Sequence, residues 1–247
     1  MNAQMSDNSS GTSATGSNAV AMGSNTTASG NYSTAMGYNT TASGTYSTAI
    51  GRYSTASGGY SIASGYETTA SGYGSTAMGA SATASDYASL VIGQYNSSGS
   101  SATSADSFST SAPAFVVGNG TDSSNKSDAF KVMFNGDTTV SNDLTVSGDV
   151  NVNSDARLKS NIVSLGSTLS KLLLIDGKSY VMNRNGKQKI GVLAQEIQEV
   201  FPELVSEDDN DILAVNYQGL VPVLINAIKE QNEKITRLEV LVEKLIK

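Results

Sequence analysis

The sequence predicts a mainly β chain: a solenoid of 14-residue coils, a β-rich stalk, and an α/β domain that ends in a coiled-coil helix. Three observations carry this expectation. Glycine recurs every seven residues over the first third of the chain, charge is concentrated after residue 153, and apolar residues near the C-terminus follow a heptad.

With five Phe, eleven Tyr and no Trp, Cys or His among 247 residues, the chain is long enough for two domains but poor in core-building side chains. A single conventional globule is therefore not expected. The missing His and Cys exclude zinc fingers, imidazole-based triads, thiol nucleophiles and disulfides, and no cofactor or metal site is expected. A net charge of −7 argues against nucleic acid as a partner. Residues 1–11 lack the basic and apolar parts of a secretory signal, and no apolar run suits membrane insertion.

Only three of the 15 basic and nine of the 22 acidic residues precede residue 154, so the two parts are different materials. The first is rich in Gly, Ser, Thr and Ala, a composition that alone would suggest a flexible linker. Its periodicity says otherwise. Gly stands at 16, 23, 30, 37, 44, 51, 58, 65, 72, 79 and 93, the step failing only at Asp86, and Ala precedes each by two, from Ala14 to Ala84, with Val91 closing the series.

Gly and Ala at a seven-residue step, with β-branched Thr between them and no Leu/Ile seam, exclude a coiled coil here. The period fits neither collagen nor a calcium β-roll. A β-solenoid remains. Between Ala and Gly, Met22, Met36, Ile50, Met78 and Ile92 alternate with Ser29, Ser43, Ser57, Ser71 and Ser85, Ser64 being the one break, so the full repeat is 14 residues. Each coil is expected to carry two short Ser/Thr-x-Ala-x-Gly strands, as in Ser33-Ala35-Gly37, whose alternate residues share one face. Such a core buries little apolar area, so the Met/Ile row on the other face reads either as a contact surface for neighbouring chains or as exposed methyl-rich surface.

The AMG…ASG series with its SxAxG units, from Ala14 to Gly93, resembles the head repeat of trimeric autotransporter adhesins. That resemblance implies a left-handed parallel β-roll assembled as a homotrimer; the contact-surface reading of the row places Met22, Met36, Ile50, Met78 and Ile92 at its interface. Residues 1–13 would precede the head. Tyr32, Tyr46 and Tyr60 recur at the coil period and should stack on one surface, as a platform for carbohydrate or as a ladder that only stabilises the solenoid. No carboxylate pair recurs in the roll, which argues against a glycosidase site there.

Residues 94–153 read as a β-rich neck. Short strands are separated by Asn-Gly and Ser-Gly turns, and Val140, Leu144, Val146, Val150 and Val152 alternate with polar residues as in a narrow interleaved stalk.

From Ser154 onward the composition is that of an ordinary α/β domain. The apolar stretch from Ile162 is expected to be helical in its second half, ending at Ile175. Gly177–Met182 and Lys187–Val192 should form a hairpin around Asn185-Gly186, Leu193–Phe201 a short helix, and Ile212–Val215 a strand. A long helix over about 217–246 has Val221, Ile228, Ile235 and Val242 at one heptad position and Leu224, Gln231, Leu238 and Leu245 at the other. This seam predicts a coiled coil, with Gln231 as the polar position that sets register and strand number. The alternative is a helix packed on its own domain.

Ser154-Asp155-Ala156-Arg157-Leu158-Lys159-Ser160-Asn161-Ile162, then Ile190–Glu196, Phe201–Val205 and Val215–Tyr217, resemble in order the endosialidase-type intramolecular chaperones of phage tail spikes and fibres. Asn216 departs from the Asp often found there. The resemblance implies a domain that trimerises, guides the folding of the fibre before it, and cleaves itself off. Ser154 would be the nucleophile, Lys159 its base, and Asn153–Ser154 the scissile bond. A desolvated Lys can take the Ser proton without any His. Five residues on one continuous helix would place Ser154 and Lys159 about 140° apart. Either Ser154 lies ahead of the helix with a turn returning Lys159, or Lys159 reaches another chain.

Together these features predict a virion fibre or tail-spike tip that binds a host-surface receptor or glycan and is matured by self-cleavage. The alternative is a bacterial surface adhesin that retains its chaperone cap. Binding of ice or crystalline polysaccharide would need regular Thr rows, and along the sequence the Thr positions look irregular.

Overall fold

The computed structural model describes residues 5–6, 10–208 and 211–246, in two compact units, Met1–Val150 and Asn151–Lys247. Most of the N-terminal segment lies outside the described residues.

The first unit is a β-solenoid of about six turns. One parallel sheet is built from five-residue strands, Val20–Ser24, Thr34–Tyr38, Thr48–Arg52, Ile62–Tyr66, Thr76–Ala80 and Leu90–Gln94. The other uses two-residue strands, Ser13–Ala14, Thr27–Ala28, Thr41–Ala42, Thr55–Ala56, Thr69–Ala70 and Thr83–Ala84. Each rung pairs residue i with i+14, Ala35 with Ala49 and Ala28 with Ala42 among them.

The two strands of a coil are thus unequal, where the sequence suggested equal ones. In the half-repeats that carry the Met/Ile row the glycine lies inside the strand with positive φ, 125° at Gly37 and 119° at Gly51. In the Ser halves the strand stops at Ala and the chain turns through Ser-Gly. Both kinds of glycine are required by rung spacing. A Cβ on Gly44 would sit 2.0 Å from the Gly58 carbonyl oxygen, and one on Gly51 2.0 Å from that of Gly65. Gly51→Ala combines that clash with a left-handed φ, so it should cost the roll about 2–5 kcal/mol. Thermal unfolding of the full chain should show the head transition lowered by Gly51→Ala and unmoved by Gly148→Ala, whose Cβ meets nothing within 4 Å.

The core is as small-sided as expected: the Ala row from Ala21 to Ala84 and the Ser/Thr row from Thr26 to Ser75 are fully buried. Hydroxyls in that core bond inward, Thr68 to Ser54 and Ser61 to the Gly58 carbonyl, but those of Thr26, Ser33, Thr40 and Ser47 have no partner. Interior packing is therefore held by close backbone approach more than by apolar area. Threonines that look scattered in sequence fall into register, Thr27, Thr41, Thr55, Thr69 and Thr83 pairing rung to rung on the short sheet.

A second seven-residue row was not read from the sequence. Every corner from Gly11 through Asn18, Asn25, Tyr32, Asn39, Tyr46, Tyr53, Tyr60, Glu67, Gly74, Ser81 and Ala88 to Tyr95 has positive φ. Non-glycine residues hold this conformation at a cost. Bonds between coils offset it, as from the Tyr46 N–H to the Asn31 carbonyl and the Tyr53 N–H to the Tyr38 carbonyl.

Asp86 breaks the glycine step where the short sheet ends. Its buried carboxylate accepts from the Thr103 and Ser104 amides at 2.6 and 2.7 Å, fastening the loop that follows. The long sheet continues past residue 93. Pro113–Asn119 returns as one more parallel rung, Gly118 beside Gly93, and Asp128–Met133 and Thr138–Val140 add antiparallel strands through a turn at Asn135-Gly136. The stalk expected over Val140–Val152 is present here only as its first strand. Residues 141–153 form none, and Leu144, Val146, Val150 and Val152 are exposed. Backbone groups of an alternating segment need a strand beside them, and this chain offers none there.

In the second unit, helix α1 (Leu169–Leu172) precedes a hairpin of Lys178–Val181 with Gln188–Gly191. Helix α2 (Ala194–Val200) ends before Pro202, and Leu213–Val215 pairs with Val205–Glu207, a strand the sequence reading omitted. The C-terminal element spans 30 residues, a 3-10 turn at Tyr217–Gly219 leading into helix α3, Leu220–Ile246. Ile197, Phe201 and Val223 form the core, with Leu172, Val192, Leu204 and Val215 against them.

Candidate self-cleavage site and chain surfaces

Asp155 starts a single 3-10 turn, Ala156–Leu158, its carboxylate accepting from the Arg157 amide at 2.8 Å and from the Arg157 guanidinium at 2.7 Å. That bonding holds the Asp155 carboxyl below the usual carboxylate range. Ser154 lies ahead of the turn, and Lys159 leaves it in extended conformation. One tight turn therefore returns the lysine, and Lys159 Nζ stands 2.7 Å from Ser154 Oγ within one chain. Asn153, Ser154 and Lys159 are all exposed.

The other three motifs quoted from the sequence meet in the core of the unit. The Val192 amide donates to the Tyr217 hydroxyl at 3.1 Å, the Asn216 amide to the Leu204 carbonyl at 2.8 Å, and Asn216 Oδ1 accepts from the Gly219 amide. An Asp at 216 could accept the same bond, so Asn is no obstacle to the turn that opens α3.

Helix α3 shows two faces. Val223 and Ala227 are buried in the domain, whereas Val221, Leu224, Ile228, Gln231, Ile235, Leu238, Val242 and Leu245 are exposed. Packing on its own domain and presenting a heptad seam are thus compatible, because they use different sides of the helix. On the roll, Met22, Ile50 and Met78 are exposed and Met36 and Ile92 half-buried on the outer face of the long sheet. Tyr32, Tyr46 and Tyr60 stack at 4.8 and 4.9 Å, and the column continues to Tyr73 and Tyr87.

Residues 14–40, 42–68 and 70–96 match the family model for the YadA head domain repeat, and residues 154–206 match that for the chaperone of endosialidase, an autoproteolytic chaperone domain. The chain is tail-fibre-like, with a chaperone domain behind YadA-like head repeats. The chaperone match ends before Val215-Asn216-Tyr217 and α3, short of the whole C-terminal domain that the motifs suggested. This tail-fibre-like chain is 30% identical over 92 residues to the long tail fiber protein Gp37 of Enterobacteria phage K3, and equally so to that of Enterobacteria phage T2. Each alignment covers 34% of this chain and 7% of the relative. The Gp37 of Escherichia phage AR1 is 36% identical over 84 residues, covering 30% and 8% respectively. The chain thus spans less than a tenth of the length of these relatives. Among the described residues no helix is long and apolar enough to cross a membrane, and no three or more Asp or Glu side chains are grouped so that they could hold a metal ion.

Two features of the tail-fibre-like chain escaped the sequence reading. On α3, Glu230 accepts from Ser167 and from the Thr168 and Leu169 amides, capping α1 from another element; these bonds hold its carboxyl below the ordinary range. No motif links positions 63 apart. A group whose pKa is depressed in the folded state adds stability that is present above its unfolded pKa and lost as pH falls through the folded one. Acidification below the usual Glu range should therefore loosen the α1–α3 contact. Glu230→Gln should lower the melting temperature of the chaperone domain at neutral pH and flatten that part of its acid dependence.

The second is a cluster at the corner opposite the Tyr32 column. The Arg52 guanidinium lies over the rings of Tyr53, Tyr38 and Tyr66 at 4.9, 5.6 and 5.7 Å. Its bond to the Tyr53 hydroxyl holds that phenol below its ordinary pKa, whereas Glu67 raises that of Tyr66 by accepting from it. A single arginine among neutral repeats gave no period to detect.

Proposed function

We propose that this chain is part of a trimeric virion fibre or tail spike that attaches to a host surface, and that its C-terminal domain trimerises, aligns the roll and then cuts between Asn153 and Ser154. The observation that carries the cleavage is the 2.7 Å approach of Lys159 Nζ to Ser154 Oγ. Ser154 Oγ attacks the carbonyl carbon of Asn153 and its proton passes to Lys159. The C–N bond then breaks, the Ser154 nitrogen takes a proton, and the resulting Asn153 ester is hydrolysed by water. Products are a carboxylate on Asn153 and a free amino group on Ser154.

Exposure explains why the reaction would wait for assembly. Burial disfavours a charged lysine, so closure of neighbouring chains over this turn would supply the neutral base. Tail-fibre and YadA-like families are typically homotrimeric, and the free seam of α3 and the Met/Ile face of the roll supply surfaces for a trimer. Rungs that repeat every 14 residues can slip by a whole coil at little cost, which gives a C-terminal trimer its use as a register setter.

Denaturing and native mass measurement of the freshly expressed chain tests this reading. We expect trimers of fragment 1–153 together with released 154–247; a monomer would sink it. Matches to the YadA head repeat favour a second reading, a bacterial surface adhesin with a retained cap, for which the mass would be that of uncut trimer.

A further inference from the structure

Arg52 is the one basic residue in the repeats, and the fold gives it unusual neighbours. Tyr38, Arg52 and Tyr66 occupy the same position on three consecutive rungs of the long sheet, so an aromatic ring stands one rung to either side of the guanidinium. Tyr53 closes the base of this fork, edge-on to both at 84° and 83°. In the single chain all three rings and Arg52 are exposed, Tyr38, Arg52 and Tyr66 at the ends of the strands whose middle residues lie on the Met/Ile face.

The nearby carboxylate does not neutralise the arginine. Glu67 is engaged by the Tyr66 hydroxyl and by Ser81 Oγ at 3.2 Å, and among the described residues no ion pair includes Arg52. A planar cation, bonded to the Tyr53 hydroxyl and in no ion pair among the described residues, is thus held between two rings in a roll otherwise almost without charge. Guanidinium binds carboxylate or phosphate through paired N–H donors, and tyrosine rings offer flat apolar area with a hydroxyl at the edge. A sugar carrying an anionic group presents both complements, a ring face and a charge.

We propose that the Arg52 fork binds an anionic saccharide, the charged group on the guanidinium and the sugar ring against Tyr38 or Tyr66. This site rests on the attachment reading and gives it a ligand class, and it differs from the Tyr32–Tyr46–Tyr60 column, which has no cation.

Titration of the trimer that the expressed chain yields, cut or uncut, with tetragalacturonate, phosphorylated mannopentaose and neutral maltotetraose tests it and separates a carboxylate from a phosphate source. At least one anionic probe should bind about tenfold or more tighter than maltotetraose. Arg52→Gln should abolish that preference with the trimer intact, and Arg52→Lys should keep part of it, because the charge remains and the fork is lost. Equal binding of neutral and anionic probes, binding of none, or a preference that survives Arg52→Gln overturns the site. Loss of the trimer in Arg52→Gln would assign the cluster to the chain interface and overturn it too. Adsorption to a panel of enterobacterial strains separates the two ideas: adsorption unchanged by Arg52→Gln leaves attachment standing without this site, and no adsorption by wild type removes attachment while the titration still decides the fork.

Discussion

Ser154→Ala should give a single full-length species, while the wild-type chain should divide after Asn153. The alanine keeps the Asp155-capped turn, whose bonds come from the Asp155 carboxylate and not from the serine hydroxyl. Folding and assembly should therefore be unaffected. Only the nucleophile is lost, and without it no acyl transfer to the side chain can begin. Removal of a nucleophile commonly costs several orders of magnitude in rate, so cleavage complete in wild type within expression should be undetectable by mass. Lys159→Ala should behave likewise. Appearance of a fragment beginning at residue 154 in Ser154→Ala would eliminate the mechanism.

Ile235→Asp is expected to have the next largest effect, read far from the substitution. In a parallel trimer it would place three carboxylates at the axis, among the exposed heptad residues Ile228, Leu238 and Val242 of each chain. Burying an unpaired charge costs several kcal/mol, well beyond what a three-chain seam of this length can absorb. The yield of soluble, protease-resistant 1–153 should fall about tenfold or more. Arg237→Gln, off the heptad seam, should leave it near wild type. Normal head yield from Ile235→Asp would show that the roll folds without help from the coiled coil.

Much of this architecture was legible because both materials are periodic. Gly at every seventh residue and Met or Ile at every fourteenth mark where a Cβ cannot fit and which sheet a half-coil joins. The hairpin around Asn185-Gly186 and the break at Pro202 are read from local turn chemistry. What stayed hidden depends on contacts between distant positions. The left-handed corners accept Asn, Tyr, Glu, Ser, Ala and Gly alike, so no residue type reveals them. Glu230 and Ser167 meet only through the packing of α3. The fork around Arg52 exists because a step of 14 stacks Tyr38, Arg52 and Tyr66, which no short motif contains. Conversely, the sequence pointed to strands beyond Val140 that one chain by itself has no partner to complete. At the proposed scissile junction, helical geometry excluded a continuous helix, and only the fold of the Asp155-capped turn decides between a turn and a neighbouring chain.

The unequal halves of each coil bear on how such a gene can change length. Duplication or loss of 14 residues by unequal crossing-over adds or removes one rung on both sheets and leaves every other rung paired as before. A seven-residue exchange would instead carry a Met/Ile half onto the short sheet, where the chain has to turn at Ser-Gly. The glycine on that side would also lack the positive φ of its new neighbours. Recombination among these repeats should therefore leave survivors whose heads differ by whole coils, making the length of the head a stepwise heritable trait while its cross-section stays constant.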